Sequence, residues 1–231
     1  MSGFFIAGTD TGVGKTTIAC GLLQAWAQAG FRTQAIKPVA AGCEATAQGL
    51  RNDDALALMA AMSASLEYAQ VNPVALLPAI APHIAARQAG LRPQVRALAA
   101  HGTGLLNRAD ITLVEGAGGW RVPLNDEETL ADLARALNLP VILVVGVRLG
   151  CINHALLTAE AIAADGLPLA GWVANVLDAA MPEQAATIEA VQQRLAAPLL
   201  GVVPWHPDPQ PDRIASHMDI TKLAGFGRRT I

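Results

Sequence analysis

Gly8-Thr-Asp-Thr-Gly-Val-Gly-Lys-Thr-Thr17 sets a lysine and two hydroxyls directly after a run of glycines. That combination suits a phosphate. Glycines let backbone N–H groups crowd around an anion, a lysine reaches the outer phosphates, and a hydroxyl can ligate a divalent cation. The usual spacing is Gly, four arbitrary residues, then Gly-Lys-Ser/Thr. Counting back from Gly14-Lys15-Thr16, the first glycine belongs at position 9, where Thr9 stands; the glycine is Gly8. The loop is one residue longer than usual and keeps its working parts. Gly12, Val13 and Gly14 form the anion nest, Lys15 faces the β- and γ-phosphates of ATP, Thr16 is placed to ligate Mg²⁺, and Thr17 continues into the helix. An ordinary strand–helix turn with a solvated lysine is the plainer alternative, and the flanking strand and helix argue against it.

Two carboxylates extend this chemistry. The apolar run LVEGAGG ends in Glu115, where a carboxylate facing the metal of a phosphate loop belongs, and Arg51-Asn52-Asp53-Asp54 opens a helical stretch. Thr16, Asp54 and Glu115 together make a hard-oxygen shell for an octahedral Mg²⁺, completed by phosphate oxygens and water. Asp54 reads equally well as a helix N-terminal acid stabilised by the helix dipole. Lys37 follows a strand and precedes Pro38, which biases it to extended geometry over the strand ends. On position alone it is a lone lysine after a strand.

These residues need elements to hold them. Near-continuous apolar runs GFFIAG, RTQAIKPV, DITLVEG, PVILVVGV, LAGWVANVL and PLLGVVPW alternate with alanine- and leucine-rich helical stretches. Strands without polar alternation are covered on both faces, so the expectation is an α/β fold: a doubly wound, mainly parallel sheet with helices on both faces, like the P-loop NTPases. In TTIACGLLQAWAQAG, Ile18, Leu22 and Trp26 recur at helical spacing and Gly30 supplies a stop. Ligands of such sheets bind beyond the carboxyl ends of the strands. Residues 40–107 are less regular and read as an insertion over that crevice, within a single domain spanning residues 1–231.

With 231 residues, 52% hydrophobic and 15% charged, the chain can bury a large core. A net charge of −3 leaves no basic footprint for nucleic acid or an anionic membrane. No apolar run reaches the roughly 20 residues that a bilayer needs, and the first residues lack a secretory pattern. Cys20, Cys43 and Cys151 are few, odd in number and widely spaced, which favours a reducing cytoplasm over a disulfide framework.

GTDTGVGKT, IKPVAAG, RNDDALAL, VNP, the PHIAA segment, VEGAGGWRVPL, PVILVVGVRLGCINHALLT, GWVANV and LLGVVPW, in that order from about Phe4 to Trp205, resemble the dethiobiotin synthetase family. The resemblance implies an ATP- and Mg²⁺-dependent ligase that closes the ureido ring of dethiobiotin from 7,8-diaminopelargonate and CO₂. The route passes through a carbamate and a carbamic–phosphoric mixed anhydride. It assigns Lys37, with Lys15, to the carbamate and the transferring phosphoryl, and Thr11 to a hydrogen bond with either. Gly116, Ala117 and Gly118 follow Glu115 at the nucleotide. The N–H groups of Cys151, Ile152 and Asn153, after Gly150, hold the substrate carboxylate across a two-fold homodimer interface.

Asn175 offers one donor and one acceptor to the adenine edge, with Val176, Pro204, Trp205 and His206 around the base; Trp205 reads equally as core. His154 reads as a packed or capping histidine rather than a catalyst. Ala41 stands where family members often carry a serine that touches the diamine, so that hydroxyl contact is missing, and Gly12 stands where many carry glutamate. A cobyrinate-type amidotransferase would need a glutaminase domain for which the chain has no room. A partitioning-type switch ATPase carries a further lysine near the front of the loop, where Asp10 stands.

Overall fold

The computed structural model describes residues 2–226. Met1 and residues 227–231, which the single-domain expectation includes, lie outside the described residues. The chain forms β1 (Ser2–Gly8), α1 (Lys15–Gln28), β2 (Thr33–Ile36), β3 (Val39–Ala41), β4 (Glu44–Thr46), β5 (Gly49–Arg51), α2 (Asp53–Ala61) and α3 (Tyr68–Val71). It continues as β6 (Val74–Leu76), α4 (Pro82–Gln88), α5 (Val95–Leu105), β7 (Ile111–Glu115), α6 (Leu130–Leu137), β8 (Val141–Val147) and α7 (Cys151–Ala164). Last come β9 (Leu169–Val176), α8 (Gln184–Gln192), β10 (Leu199–Val203), α9 (Pro211–Ala215) and a 3₁₀ helix, Ile220–Phe226.

Six strands make a parallel sheet in the order β10-β9-β8-β1-β7-β2. All seven residues of β8, VILVVGV, are buried, as are all five of β7. Each fully buried Val, Ile or Leu contributes about 1.5–3 kcal/mol, which is why strands without polar alternation settle at the middle of a layered fold. The chain leaves β1 towards β7 and β2, then returns past it to β8, so the direction of winding reverses beside β1. Register brings the strand ends together there: Ile6 pairs with Glu115, Gly8 with Val144, and Gly146 with Asn175.

One expected strand divides. RTQAIKPV extends only to Ile36, because the Lys37 N–H turns to the Val71 carbonyl at 2.8 Å and Pro38 has no N–H for a ladder. The chain then continues as β3, paired with β6 in a small separate sheet, while β4 and β5 form a hairpin. Leu58, Val71, Leu76 and Leu98 from this middle region join the same buried apolar cluster as the central sheet. α9 packs on α1, with Asp212 accepting from Gln24 at 2.6 Å, and the 3₁₀ helix packs on β9. All three cysteines are free and buried. Among the described residues no helix is long and apolar enough to cross a membrane.

Candidate active site

The phosphate loop joins β1 to α1. Gly14 is the N-cap of α1 and gives it no side-chain cap, so the first N–H groups of the helix remain available to an anion. Gly12 and Gly14 have φ of 73° and 85°, the left-handed region that glycine enters without strain. The glycine at position 8 also has a physical reason. The Lys15 side chain folds back along the loop, with Nζ donating to the Asp10 carbonyl at 3.0 Å; a Cβ on residue 8 would meet that Nζ at 3.0 Å and a Val13 methyl at 2.8 Å. The longer loop thus closes over its own lysine.

Lys15 is only 7% exposed. Burial, reinforced by the positive charge of Lys37, brings its pKa down to about 8, against the pull of Glu115 and Asp54. Thr16 Oγ1 donates to Glu115 Oε1 at 2.8 Å. Lys37, 3% exposed, lies between both carboxylates: Nζ is 2.6 Å from Asp54 Oδ2 and 2.5 Å from Glu115 Oε1. Burial opposes its charge, but Glu115 and Asp54 outweigh burial and hold its pKa above the ordinary lysine value. Burial likewise raises Asp54, and the Lys37 ammonium outweighs it, leaving Asp54 below the ordinary carboxylate range. The structure therefore brings together Lys15 and Thr16 from α1, Lys37 from the turn after β2, Asp54 from α2 and Glu115 from β7.

The same cluster fits a divalent cation. Glu115 is fully buried, yet its Oε2 has no hydrogen-bond partner among the described residues. A buried carboxylate oxygen without a partner is costly unless a cation or water meets it. Among the described residues no group of three or more His, Cys, Asp and Glu side chains is placed to hold a metal ion by itself. An ion here would rest on Thr16, Asp54, Glu115 and non-protein oxygens, which suits Mg²⁺ more than a fully caged metal.

Around this centre the other candidate residues fall as follows. Thr11 is exposed at the loop tip; its N–H donates to Asp10 Oδ1 at 2.7 Å, and its hydroxyl lies 3.3 Å from where a Cβ on Gly118 would stand. The Gly116 N–H donates to the Ile6 carbonyl at 3.0 Å, and Ala117 leads from it toward the loop. Thr17 lies in the first turn of α1, its Cβ 4.0 Å from where a Cβ on Gly14 would stand. Ala41 ends β3, and its carbonyl accepts from Asn52 Nδ2 at 3.4 Å. Gly150, at φ 92°, opens α7; Cys151 is buried there, Ile152 half-buried and Asn153 exposed.

Three observations alter the expectations. Asn175 is 7% exposed, and its Nδ2 donates to the Val13 carbonyl at 2.9 Å, so in this structure its donor braces the phosphate loop. Trp205 is 47% exposed, which removes it from the core; Pro204 is exposed beside it, His206 is half-buried, and Val203 pairs with Asn175 next to the buried Val176. His154 is exposed rather than packed. Asp10 is the residue that motif reading passed over. Its carboxylate takes the Thr11 N–H and an ion pair with Arg148, joining the phosphate loop to the β8–α7 turn.

Fold and site together define a P-loop nucleotide-binding protein. A family model described as AAA domain matches residues 2–213. Two solved structures share the fold. The septum site-determining protein MinD complexed with Mg-ADP from Pyrococcus horikoshii has TM-score 0.55 and 20% identity, over 96% of this chain and 89% of that one. A ParA family ATPase from Chlorobium tepidum has TM-score 0.56 and 13% identity, over 97% and 93%. At such identities the likeness speaks for the fold alone.

Sequence relatives are more specific. A protein of Pseudomonas paraeruginosa named ATP-dependent dethiobiotin synthetase BioD is 59% identical over 98% of this chain and all of its own length. Those of Cellvibrio japonicus and Xanthomonas campestris with the same name are 60% and 49% identical, covering 95% and 93% of this chain and 96% of each relative. The chain belongs to the family of ATP-dependent dethiobiotin synthetases.

Proposed function

We propose that this chain is an ATP- and Mg²⁺-dependent cyclo-ligase that makes dethiobiotin from 7,8-diaminopelargonate and CO₂, acting as a cytoplasmic homodimer built from a single domain over residues 1–231. The N7 amine takes up CO₂ as a carbamate. A carbamate oxygen attacks the γ-phosphorus of ATP, ADP leaves, and the product is a carbamic–phosphoric mixed anhydride. The N8 amine then attacks the carbamoyl carbon, phosphate departs with the bonding pair, and the ring closes.

The first transfer brings two anions together, so positioned positive charge is the main demand. Lys15 and Lys37 supply it from two directions, and Thr11 donates a hydrogen bond at the mouth. Thr16, Asp54 and Glu115 would hold Mg²⁺, which when bound neutralises phosphate oxygens. Gly116, Ala117 and Gly118 border the phosphates. Asn175, Val176, Pro204, Trp205 and His206 would take the adenine, with Trp205 as an exposed wall. The first N–H groups of α7, at Ile152 and Asn153, suit the substrate carboxylate, completed by the partner subunit; the Cys151 N–H, expected to join them, donates to the Arg148 carbonyl at 3.0 Å and would have to leave it to do so. With Ala41 in place of a serine, the diamine meets backbone or water there.

One observation carries the reading: two buried ammonium groups and two carboxylates converge at the switch point of a chain whose relatives are dethiobiotin synthetases. The likeness to MinD and ParA does not favour a switch ATPase, because it extends to the fold only. The test mixes the protein with diaminopelargonate, bicarbonate, Mg²⁺ and ATP and follows dethiobiotin by mass. Product that requires all four supports the reading; ATP turnover without diamine and without product refutes it.

A further inference from the structure

The middle region contains a closed ring of polar contacts that begins and ends on Lys37. The Lys37 carbonyl accepts from Asn72 Nδ2 at 2.7 Å. Asn72 Oδ1 accepts from the Tyr68 hydroxyl at 3.0 Å, and that hydroxyl accepts the Asn52 N–H at 2.8 Å. Asn52 is the N-cap of α2, its Oδ1 accepting from the Ala55 N–H at 3.3 Å, and α2 presents Asp54. Asp54 then returns to Lys37 through the 2.6 Å ion pair. Both ends of one lysine are thus fixed, the main chain by Asn72 and the ammonium by Asp54.

Burial makes this ring more than decoration. Asn72 is 3% exposed and Asn52 6%, so water does not readily replace a lost partner. Asn72 has no idle group, because its Nδ2 also donates to the Val74 carbonyl at 3.2 Å. Pro38 and Pro73 each remove a backbone donor where the two segments meet, and the Asn72 amide adds to the Lys37–Val71 and β3–β6 backbone bonds there. The central sheet fixes Glu115 directly, whereas Asp54 belongs to a short helix outside that sheet. Apolar packing of Ala55 and Leu58 seats that helix against the core, and the ring ties its N-terminus, where Asp54 stands, to Lys37.

We propose that Tyr68 and Asn72 are positioning residues that set the Asp54 carboxylate and the Lys37 ammonium in register with Glu115. This rests on the reading of Asp54 and Glu115 as holders of a divalent cation at the nucleotide. Neither residue touches substrate; each acts through α2 and the Lys37 backbone.

Tyr68→Phe isolates the hydroxyl, since the ring, and the Arg51 guanidinium 4.1 Å above it, can remain. ADP affinity is measured calorimetrically with Mg²⁺ and again with EDTA. The wild-type protein is expected to bind ADP more tightly with Mg²⁺. In Tyr68→Phe that enhancement should shrink by roughly three- to tenfold while the EDTA value stays unchanged, the size expected for one buried hydrogen bond acting on a ligand shell. In the ring-closure assay kcat should fall by a similar factor with KM for the diamine unmoved.

Thr112→Val serves as the control. It removes a buried hydroxyl that accepts from Gln34 Nε2 at 2.8 Å in the central sheet, and it should lower the melting temperature without changing the Mg²⁺ enhancement. An equal enhancement in wild type and Tyr68→Phe, or an equal loss in Thr112→Val, overturns the proposal. Failure to make dethiobiotin would sink the functional reading instead and leave the calorimetric comparison intact.

Discussion

Gly12 and Gly14 share a left-handed backbone but have different surroundings. A Cβ on residue 12 would meet nothing within 4 Å, whereas one on residue 14 would enter the Asn175 amide that holds the Val13 carbonyl. Alanine at either position incurs the left-handed cost of roughly 1–2 kcal/mol. Only at position 14 must it also displace the brace of the loop. Gly12→Ala should therefore weaken ADP binding by about tenfold, and Gly14→Ala by more than about a hundredfold, on that strain plus a lost buried hydrogen bond. Titration calorimetry of both variants decides it, and equal losses would show that Asn175 gives way. The lysine and the hydroxyl were legible in the sequence because their chemistry depends on short, fixed spacing, and Glu115 because it ends a long apolar run. The brace was not, because Val13 and Asn175 lie 162 residues apart and meet only through strand register.

Among the elements, the central strands could be read because their buried runs are long enough to exclude any other assignment. The middle region could not. β3, β4, β5 and β6 have three residues each, too short for a period, and α2 is held by a polar ring at its N-terminus in addition to its buried Ala55 and Leu58. The break at Lys37-Pro38 was visible as a proline, but its consequence depended on an acceptor, the Val71 carbonyl, far along the chain. The contact between α1 and α9 offers a test of packing at this scale. A Cβ on Gly21 would enter the Ile214 side chain, and Ile214 is 1% exposed. In an open helix Gly→Ala gains about 1 kcal/mol, whereas overpacking costs roughly 1–3 kcal/mol. Overpacking should win, so Gly21→Ala should lower the urea midpoint, and adding Ile214→Ala should cost less than the sum of the single changes. A raised midpoint for Gly21→Ala would mean that α9 moves aside freely.

For the whole molecule, the proposed homodimer turns on the turn that opens α7. Leu149 is 98% exposed and Leu157 56%, on either side of the N–H groups read as the seat of the substrate carboxylate. A large side chain left bare beside that proposed seat is consistent with a surface meant to be covered. Burying both leucines would contribute about 3–6 kcal/mol per protomer, or about 6–12 kcal/mol across a two-fold pair. Association costs an estimated 4–15 kcal/mol, so these side chains can tip the balance without carrying it alone. Two-fold symmetry doubles any single substitution. Leu149→Asp removes roughly 3–6 kcal/mol from the pair, enough to weaken dimerisation by about a hundredfold to ten-thousandfold. We expect sedimentation to show the wild-type protein as a dimer and Leu149→Asp as a monomer at micromolar concentration. If each site borrows its carboxylate contact from the neighbour, the monomer should show a raised KM for the diamine while its ADP affinity is unchanged, since the phosphate loop lies within one chain. A monomeric Leu149→Asp with wild-type KM would confine the diamine site to a single protomer, and a dimeric one would place the interface elsewhere.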